Sequence, residues 1–134
     1  MEVLIPSEFV EPTHLDTHIL VWLYQNPQRV WPAPVKALLD NGSLRYSPIV
    51  KLELAYLNQI GRIRPLPDAL LEELSEPLQL LACDQPFSLV VEQALHLTWT
   101  SDPFDRLIVG QAKTAGAKLI THDETIRSHF PDAV

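Results

Sequence analysis

The chain has 134 residues, 46% of them hydrophobic and 20% charged, with a formal net charge of −7; this is the size and balance of one soluble globular domain. No apolar run approaches the ~20 residues of a membrane-spanning helix, so no membrane association is expected, and the acidic balance argues against a general, backbone-neutralising grip on nucleic acid. Cys83 is the only cysteine, which excludes an internal disulfide and a multi-Cys zinc site.

Met1 to Val10 has no basic residue ahead of its apolar part, so it does not read as a signal peptide, and a cytoplasmic location is the expectation. A short apolar stretch ends at Leu15, and Ile19 to Tyr24 continue it with helical character. Pro34 to Leu39 reads as a short helix closed by Asn41-Gly42, and Leu44 to Tyr46 as a brief strand. Ser47-Pro48 resembles a cap followed by proline at the first helical position, opening a helix to about Ile60 with Gly61 as its stop. Pro67 to Leu74 is expected to form an acidic helix, Leu78 to Cys83 a strand, and Pro86 to Leu97 a helix with apolar positions at Leu89, Val90, Ala94 and Leu97. Asp102-Pro103 repeats the cap-then-proline signature and opens a helix to about Ala115, ended by Gly116; Lys118 to Thr121 reads as a strand, and Asp123 starts a last helical turn. Short strands alternating with helices predict an α/β fold with a parallel sheet covered on both faces.

Charge is segregated along the chain. Lys36 to Arg64 holds five basic residues and two acidic ones, whereas Asp68 to Glu92 holds six acidic residues and no basic one. Two solvated faces account for such a pattern, which leaves room for one face that tolerates phosphate.

In open α/β sheets, ligands bind beyond the carboxyl ends of the strands. Asp16 lies where the first strand meets the first helix, and Asp123 just past the strand Lys118 to Thr121. Asp105 is close to the start of the helix that Asp102 caps, and Glu53 stands in the second turn of the helix after Ser47. Arranged in a single parallel sheet, these four segments bring four carboxylates to one rim. Clustered carboxylates repel and take up protons unless a cation compensates them. Hard oxygen donors select Mg²⁺ or Mn²⁺ over zinc, and such a metal suits phosphodiester hydrolysis. Any chain with 17 acidic residues offers many quartets, however, so spacing alone carries this weakly.

Ser101-Asp102-Pro103-Phe104-Asp105-Arg106-Leu107-Ile108-Val109-Gly110-Gln111-Ala112, followed by Leu119-Ile120-Thr121-His122-Asp123, resembles the Asp-Pro-Phe-Asp-Arg-Leu-Leu…Ala-Gln-Ala and Thr-x-Asp segments of PIN domains of the VapC toxin type. Leu15-Asp16-Thr17-His18 with Leu20 and Trp22 is similar to that family's opening segment, and Ser47 to Glu53 with Gly61-Arg62-Ile63 to its Ser-x-x-Ser-x-x-Glu…Gly-Arg-Leu segment. The resemblance runs in order from residue 15 to about residue 130. It implies a three-layer α/β/α PIN-like fold with a short central parallel sheet, residues 13–134 forming the domain and 1–12 an N-terminal extension.

The resemblance further implies a metal-dependent endoribonuclease that uses Mg²⁺ or Mn²⁺, acts on RNA, pairs with a cognate antitoxin protein and forms a homodimer. Asp16, Glu53, Asp105 and Asp123 match the family's metal-binding and catalytic acids; Thr17, Ser47, Thr121 and Asp102 match supporting positions that orient carboxylates or water, Asp102 reading mainly as a helix cap. This sequence departs from the family at Val50, where a second serine is usual, in the polar strand Glu11-Pro12-Thr13-His14, and in an ending too short for a convincing final strand. Val50 and the acidic charge motivate an alternative, a catalytically weak PIN module acting as a protein- or RNA-binding partner. A haloacid-dehalogenase-type phosphatase needs a second aspartate two residues after Asp16, where His18 stands instead.

Overall fold

The computed structural model describes residues 12–134; the N-terminal extension expected from the sequence otherwise lies outside the described residues. Pro12 itself is the first residue of strand β1 (Pro12–Leu15) and pairs in register with Ser43. Three further strands, β2 (Ser43–Tyr46), β3 (Leu81–Ala82) and β4 (Lys118–Ile120), complete a four-stranded sheet, ordered β3-β2-β1-β4 and parallel throughout. The helices are α1 (Thr17–Gln25), α2 (Ala33–Asn41), α3 (Ile49–Gln59), α4 (Pro67–Leu78), α5 (Phe87–Leu95), α6 (Pro103–Ala115) and α7 (Glu124–His129).

The order of the strands decides where the chain can build a site. From β1 the chain steps outward to β2 and β3, then returns across the sheet to place β4 on the other side of β1. Right-handed crossovers therefore put the helices of the two halves on opposite faces. On the first side α1, α3 and α4 pack together; on the second, α5 packs on α6, and α6 lies against β1 and β4. Helices α3 and α6 still meet, with the rings of Tyr56 and Phe104 6.1 Å apart.

Core residues fill both interfaces: Leu15, Leu20, Leu44, Val50, Leu54 and Leu70 are fully enclosed on the first side, and Ile108, Val109, Leu119 and Ile126 around α6 and β4. The central strand is the exception to the apolar rule for parallel sheets. Thr13 and His14 are buried in β1, and burial, aided by the positive charge of Arg45, lowers the His14 pKa to about 4, so the imidazole is neutral. The polar first strand noted in the sequence thus forms at the centre of the sheet.

Two boundaries differ from expectation. Leu78, assigned above to a strand, ends α4, because the stripe Leu70, Leu74, Leu78 continues at the four-residue helical spacing. The strand shrinks to Leu81–Ala82, after Gln79 reverses the chain in a left-handed conformation (φ 49°). At the C-terminus, Asp132 to Val134 run beside β4 through the bonds Leu119 N to Asp132 O (3.0 Å) and Val134 N to Leu119 O (2.8 Å). A single parallel bridge, Leu119–Ala133, is all that forms there, yet it covers the outer edge of β4.

Where α5 crosses α6, Gly110 permits the contact. A Cβ at this position would stand 2.9 Å from the Val90 carbonyl oxygen and 3.2 Å from the Ala94 nitrogen, both backbone atoms. Elsewhere in a helix, glycine to alanine gains up to ~1 kcal/mol. Here Gly110→Ala is expected to destabilise the protein by about 1–3 kcal/mol, because the two helices must separate; urea denaturation measures it, and a stabilised variant would contradict this packing.

Candidate active site

Strand order β3-β2-β1-β4 makes β1 and β4 the pair from which the chain departs in opposite directions, the position where open α/β sheets bind ligands. Asp16 is the residue after β1, and Thr121 follows β4. The Asp16 amide donates to the Ile120 carbonyl (3.0 Å), extending the pairing to the strand ends. Asp16 then caps α1: its Oδ1 accepts from the Thr17 amide at 2.8 Å. Its other oxygen, Oδ2, accepts from Thr121 Oγ1 at 2.6 Å. Both carboxylate oxygens are therefore held, and the residue is only 4% exposed.

The remaining acids surround this fixed group. Glu53 projects from α3 and is 9% exposed. The Thr17 hydroxyl is buried, lies close enough to favour the ionised form of Glu53, and closes no hydrogen bond of good geometry. Asp105 stands in the first turn of α6, oriented by Asp102, whose Oδ1 accepts from the Phe104 amide (2.8 Å) and the Asp105 amide (3.3 Å). Asp123 caps α7 through Oδ1, which accepts from the Ile126 amide at 2.9 Å, and its own amide donates to Thr121 Oγ1 at 3.1 Å. Arg106 does not neutralise Asp105; its Nε donates to the carbonyls of Leu97 and Thr100, both at 3.0 Å, and fixes the loop between α5 and α6.

Electrostatics show that the four acids share one field. Burial raises the Asp16 pKa, opposed by its bonds from Thr121 and Thr17, and the charge of Asp123 raises it further. Burial likewise raises Glu53, with Thr17 opposing and Asp16 adding to the rise. Asp105 is raised from 3.8 to about 7, first by desolvation and then by the charges of Asp102, Asp16, Asp123 and Glu53.

Two residues not singled out above as site candidates belong to the surroundings. His18, next to Thr17, lies near enough to Asp16 and Glu53 to favour their ionised forms. Gln111 is 3% exposed and accepts from Ser47 Oγ at 3.1 Å, while Ser47 Oγ in turn accepts from the Ile49 amide at 3.3 Å at the start of α3. Ser47 is thus the cap expected from the sequence, with a second task. The signal for Gln111 was its position six residues beyond Asp105, which carried no meaning until α6 was packed against the loop after β2.

A family model described as PIN domain matches residues 14–129. The chain belongs to the PIN-domain family. Ribonuclease VapC22 of Mycobacterium tuberculosis is 32% identical over 117 residues, which span 86% of this chain and 89% of that relative. Among solved structures, VapBC2 from Rickettsia felis bound to a DNA fragment from their promoter aligns with a TM-score of 0.64 at 19% identity, covering 91% of this chain and 95% of that one. A toxin–antitoxin complex from Klebsiella pneumoniae aligns with a TM-score of 0.58 at 17% identity, again covering 91% and 95%. These structures share the fold, the three-layer α/β/α PIN arrangement.

PIN domains are metal-dependent nucleases as a family, so the residues present can be tested for fit to a cation. The donors are all hard oxygens, four carboxylates with threonine hydroxyls beside them, which is a set for a hard divalent cation. Their raised pKa values are the unfavourable field that a cation relieves. Among the described residues no three His, Cys, Asp or Glu side chains stand at ligand spacing. The acids fit a cation in their hard-oxygen chemistry and in the negative charge each adds to the others.

The same field makes a pH prediction for the metal-free PIN domain. Because the folded pKa of Asp105 is raised from 3.8 to about 7, the folded state holds more protons than the unfolded state between these values. Stability is thus greatest on the acid side of this window and is lost as pH rises through it; Asp16 and Glu53 act in the same direction. Thermal melts in chelator should show falling stability from about pH 5 to pH 8, with Asp105→Asn more stable at the upper end and flatter throughout. Parallel curves for the two proteins would refute the shared field.

Proposed function

We propose that this protein is a metal-dependent endoribonuclease, the toxin of a toxin–antitoxin pair, and that Asp16, Glu53, Asp105 and Asp123 form its active site. The observation that carries this reading is the meeting of four carboxylates at the carboxyl edge of β1 and β4, with Asp16 held by Thr121. Mg²⁺ or Mn²⁺ would be held by Asp16, Asp105 and Glu53, with Asp123 as the fourth acid. Bound there, the cation supplies an activated water and neutralises charge on the phosphoryl oxygens.

The protein's own residues set the conditions for that chemistry. Thr121 and the Thr17 amide fix the direction of the Asp16 carboxylate, so it enters the site with no rotamer search. Asp102 positions Asp105 by capping α6, and adds negative charge next to it. Asp105, with a pKa of about 7, can hold or release a proton near neutrality when no cation faces it. Buried Thr17 Oγ1 closes no hydrogen bond of good geometry among the described residues and stands beside Glu53, where it can orient that carboxylate.

In this reading, RNA is the substrate, an antitoxin protein is the neutralising partner, and the toxin is a homodimer acting in the cytoplasm. Similarity to Ribonuclease VapC22 supports the activity, and the fold shared with complexes named VapBC and toxin–antitoxin supports the partner. No helix among the described residues is long and apolar enough to cross a membrane, and Cys83 is buried without a disulfide, in keeping with that location. Residues 13–134 are the domain in this reading, with Pro12 joined to its first strand.

Purified protein should cleave RNA with Mg²⁺ or Mn²⁺ and stop when chelator is added. Asp16→Asn and Asp105→Asn are each expected to lower cleavage by roughly 100-fold or more. Thr121→Val should lower it by roughly 10–100-fold, the usual cost of removing a group that orients a ligand. Gel-resolved cleavage of a structured RNA checks all three; full activity in both asparagine variants would overturn the assignment.

A further inference from the structure

Beside the acidic rim lies a second concavity that the proposed reaction does not use. Ser47 follows β2, and Gln85 lies just past β3; in the parallel sheet both stand on the same carboxyl edge as Asp16 and Thr121. They join Ile49, Phe87, Leu107 and Gln111 in lining a cleft of about 270 Å³. Neighbouring strands are ~4.8 Å apart, so the end of β2 lies one such spacing from that of β1, and the end of β3 two. On α3, Ile49 precedes Glu53 by one turn and so shares its face of that helix.

The chemistry of this cleft is uneven in an informative way. Its walls are mostly apolar, and its polar side chains are the linked pair Ser47 and Gln111 together with Gln85. Gln111 is 97% enclosed, its Oε1 is engaged by Ser47, and its Nε2 has no acceptor among the described residues. Buried amide donors are nearly always paired, so this one calls for a partner that the described residues do not supply. Among the lining residues, Phe87 is 64% exposed.

An apolar slot, smaller than the ~300–1,000 Å³ of sites for drug-sized ligands, suits one flat ring. An exposed aromatic face stacks on such a ring, and a buried amide donor reads an acceptor on its edge. We infer that this cleft is a nucleobase subsite, in which the base of a nucleotide adjoining the cut stacks on Phe87 and accepts a hydrogen bond from Gln111 Nε2. A carbonyl oxygen is a stronger acceptor than a ring nitrogen, so the donor favours the carbonyl-bearing bases guanine, uracil and cytosine over adenine. The inference rests on the ribonuclease reading for the identity of the ligand, while the cleft and its unpartnered amide stand apart from it.

The test follows binding and cleavage separately. In ¹⁵N spectra of the full chain in chelator, GMP or UMP should move the Gln111 side-chain amide signal, and AMP should move it less. Phe87→Ala, at an exposed position, should weaken that response by roughly three- to tenfold. On RNA randomised around the cut, Gln111→Leu should reduce the preference for guanine, uracil or cytosine over adenine at one flanking position by roughly three- to tenfold. An amide that no nucleotide moves, or a base preference unchanged in both variants, overturns the subsite. Concentration-dependent changes around Phe87 in place of a nucleotide response assign the cleft to a second copy of the chain and overturn it too. Wild-type protein that binds nucleotides here but cuts no RNA leaves the subsite standing and overturns the ribonuclease reading instead.

Discussion

Thr121 Oγ1 donates to Asp16 Oδ2 at 2.6 Å and accepts the Asp123 amide at 3.1 Å, so one buried hydroxyl ties together the two loops that leave β1 and β4. The rest of the site depends on this tie. Asp16 and Thr121 are 105 residues apart in sequence and meet because β4 pairs with β1 on the side away from β2. Were β4 added beyond β3, each loop would retain its local cap, but the acids would be spread along the sheet. The crossover that carries α5 and α6 back over the sheet is therefore what makes a pocket out of separate helix starts.

Much of this was legible in the sequence because the site residues also do local structural work. Asp16, Ser47, Asp102 and Asp123 each accept a backbone amide at or near a helix start, and Asx or Ser before a helical run is a local signal. Glycine stops were equally readable, Gly61 and Gly116 both having positive φ. What escaped was determined by packing at a distance. The strand after α4 was overestimated because Leu78, Leu80 and Leu81 form one apolar run in sequence, though Leu78 ends a helix and Leu81 is exposed. Gln111 lies on a helix face whose meaning comes from Ser47, 64 residues away. The guanidinium of Arg106, next to Asp105 in sequence, is likewise placed by groups at a distance, the loop carbonyls of Leu97 and Thr100.

Val50, the departure that raised the possibility of an inactive module, has a simple place in the structure. It is fully enclosed in the core of α3, among the residues that pack this helix. A serine there would bury a hydroxyl in need of a partner, whereas the hydroxyl of Ser47 has partners on both sides. The substitution thus strengthens apolar packing beneath Glu53 and removes none of the groups that hold the acids.

Several of the features that break the rules of a stable interior lie together on one edge. Buried carboxylates with raised pKa values, a threonine hydroxyl without a hydrogen bond of good geometry and an unpaired glutamine amide each oppose folding on their own. They occur within a sheet whose other layers are filled with aliphatic side chains. His14 and Thr13 show that an enclosed polar group is no sufficient mark of a site, since both lie inside β1, behind the carboxyl edge. What separates the two cases is convergence: the groups at the carboxyl edge come from several segments and face a common space, where a single ligand can compensate many of them at once. An inward-facing residue of β1 faces neighbouring strands and helices, so its cost is borne by the surrounding core. The direction in which unsatisfied groups face, more than their number, is what marks the edge of β1 and β4 as the working end of this protein.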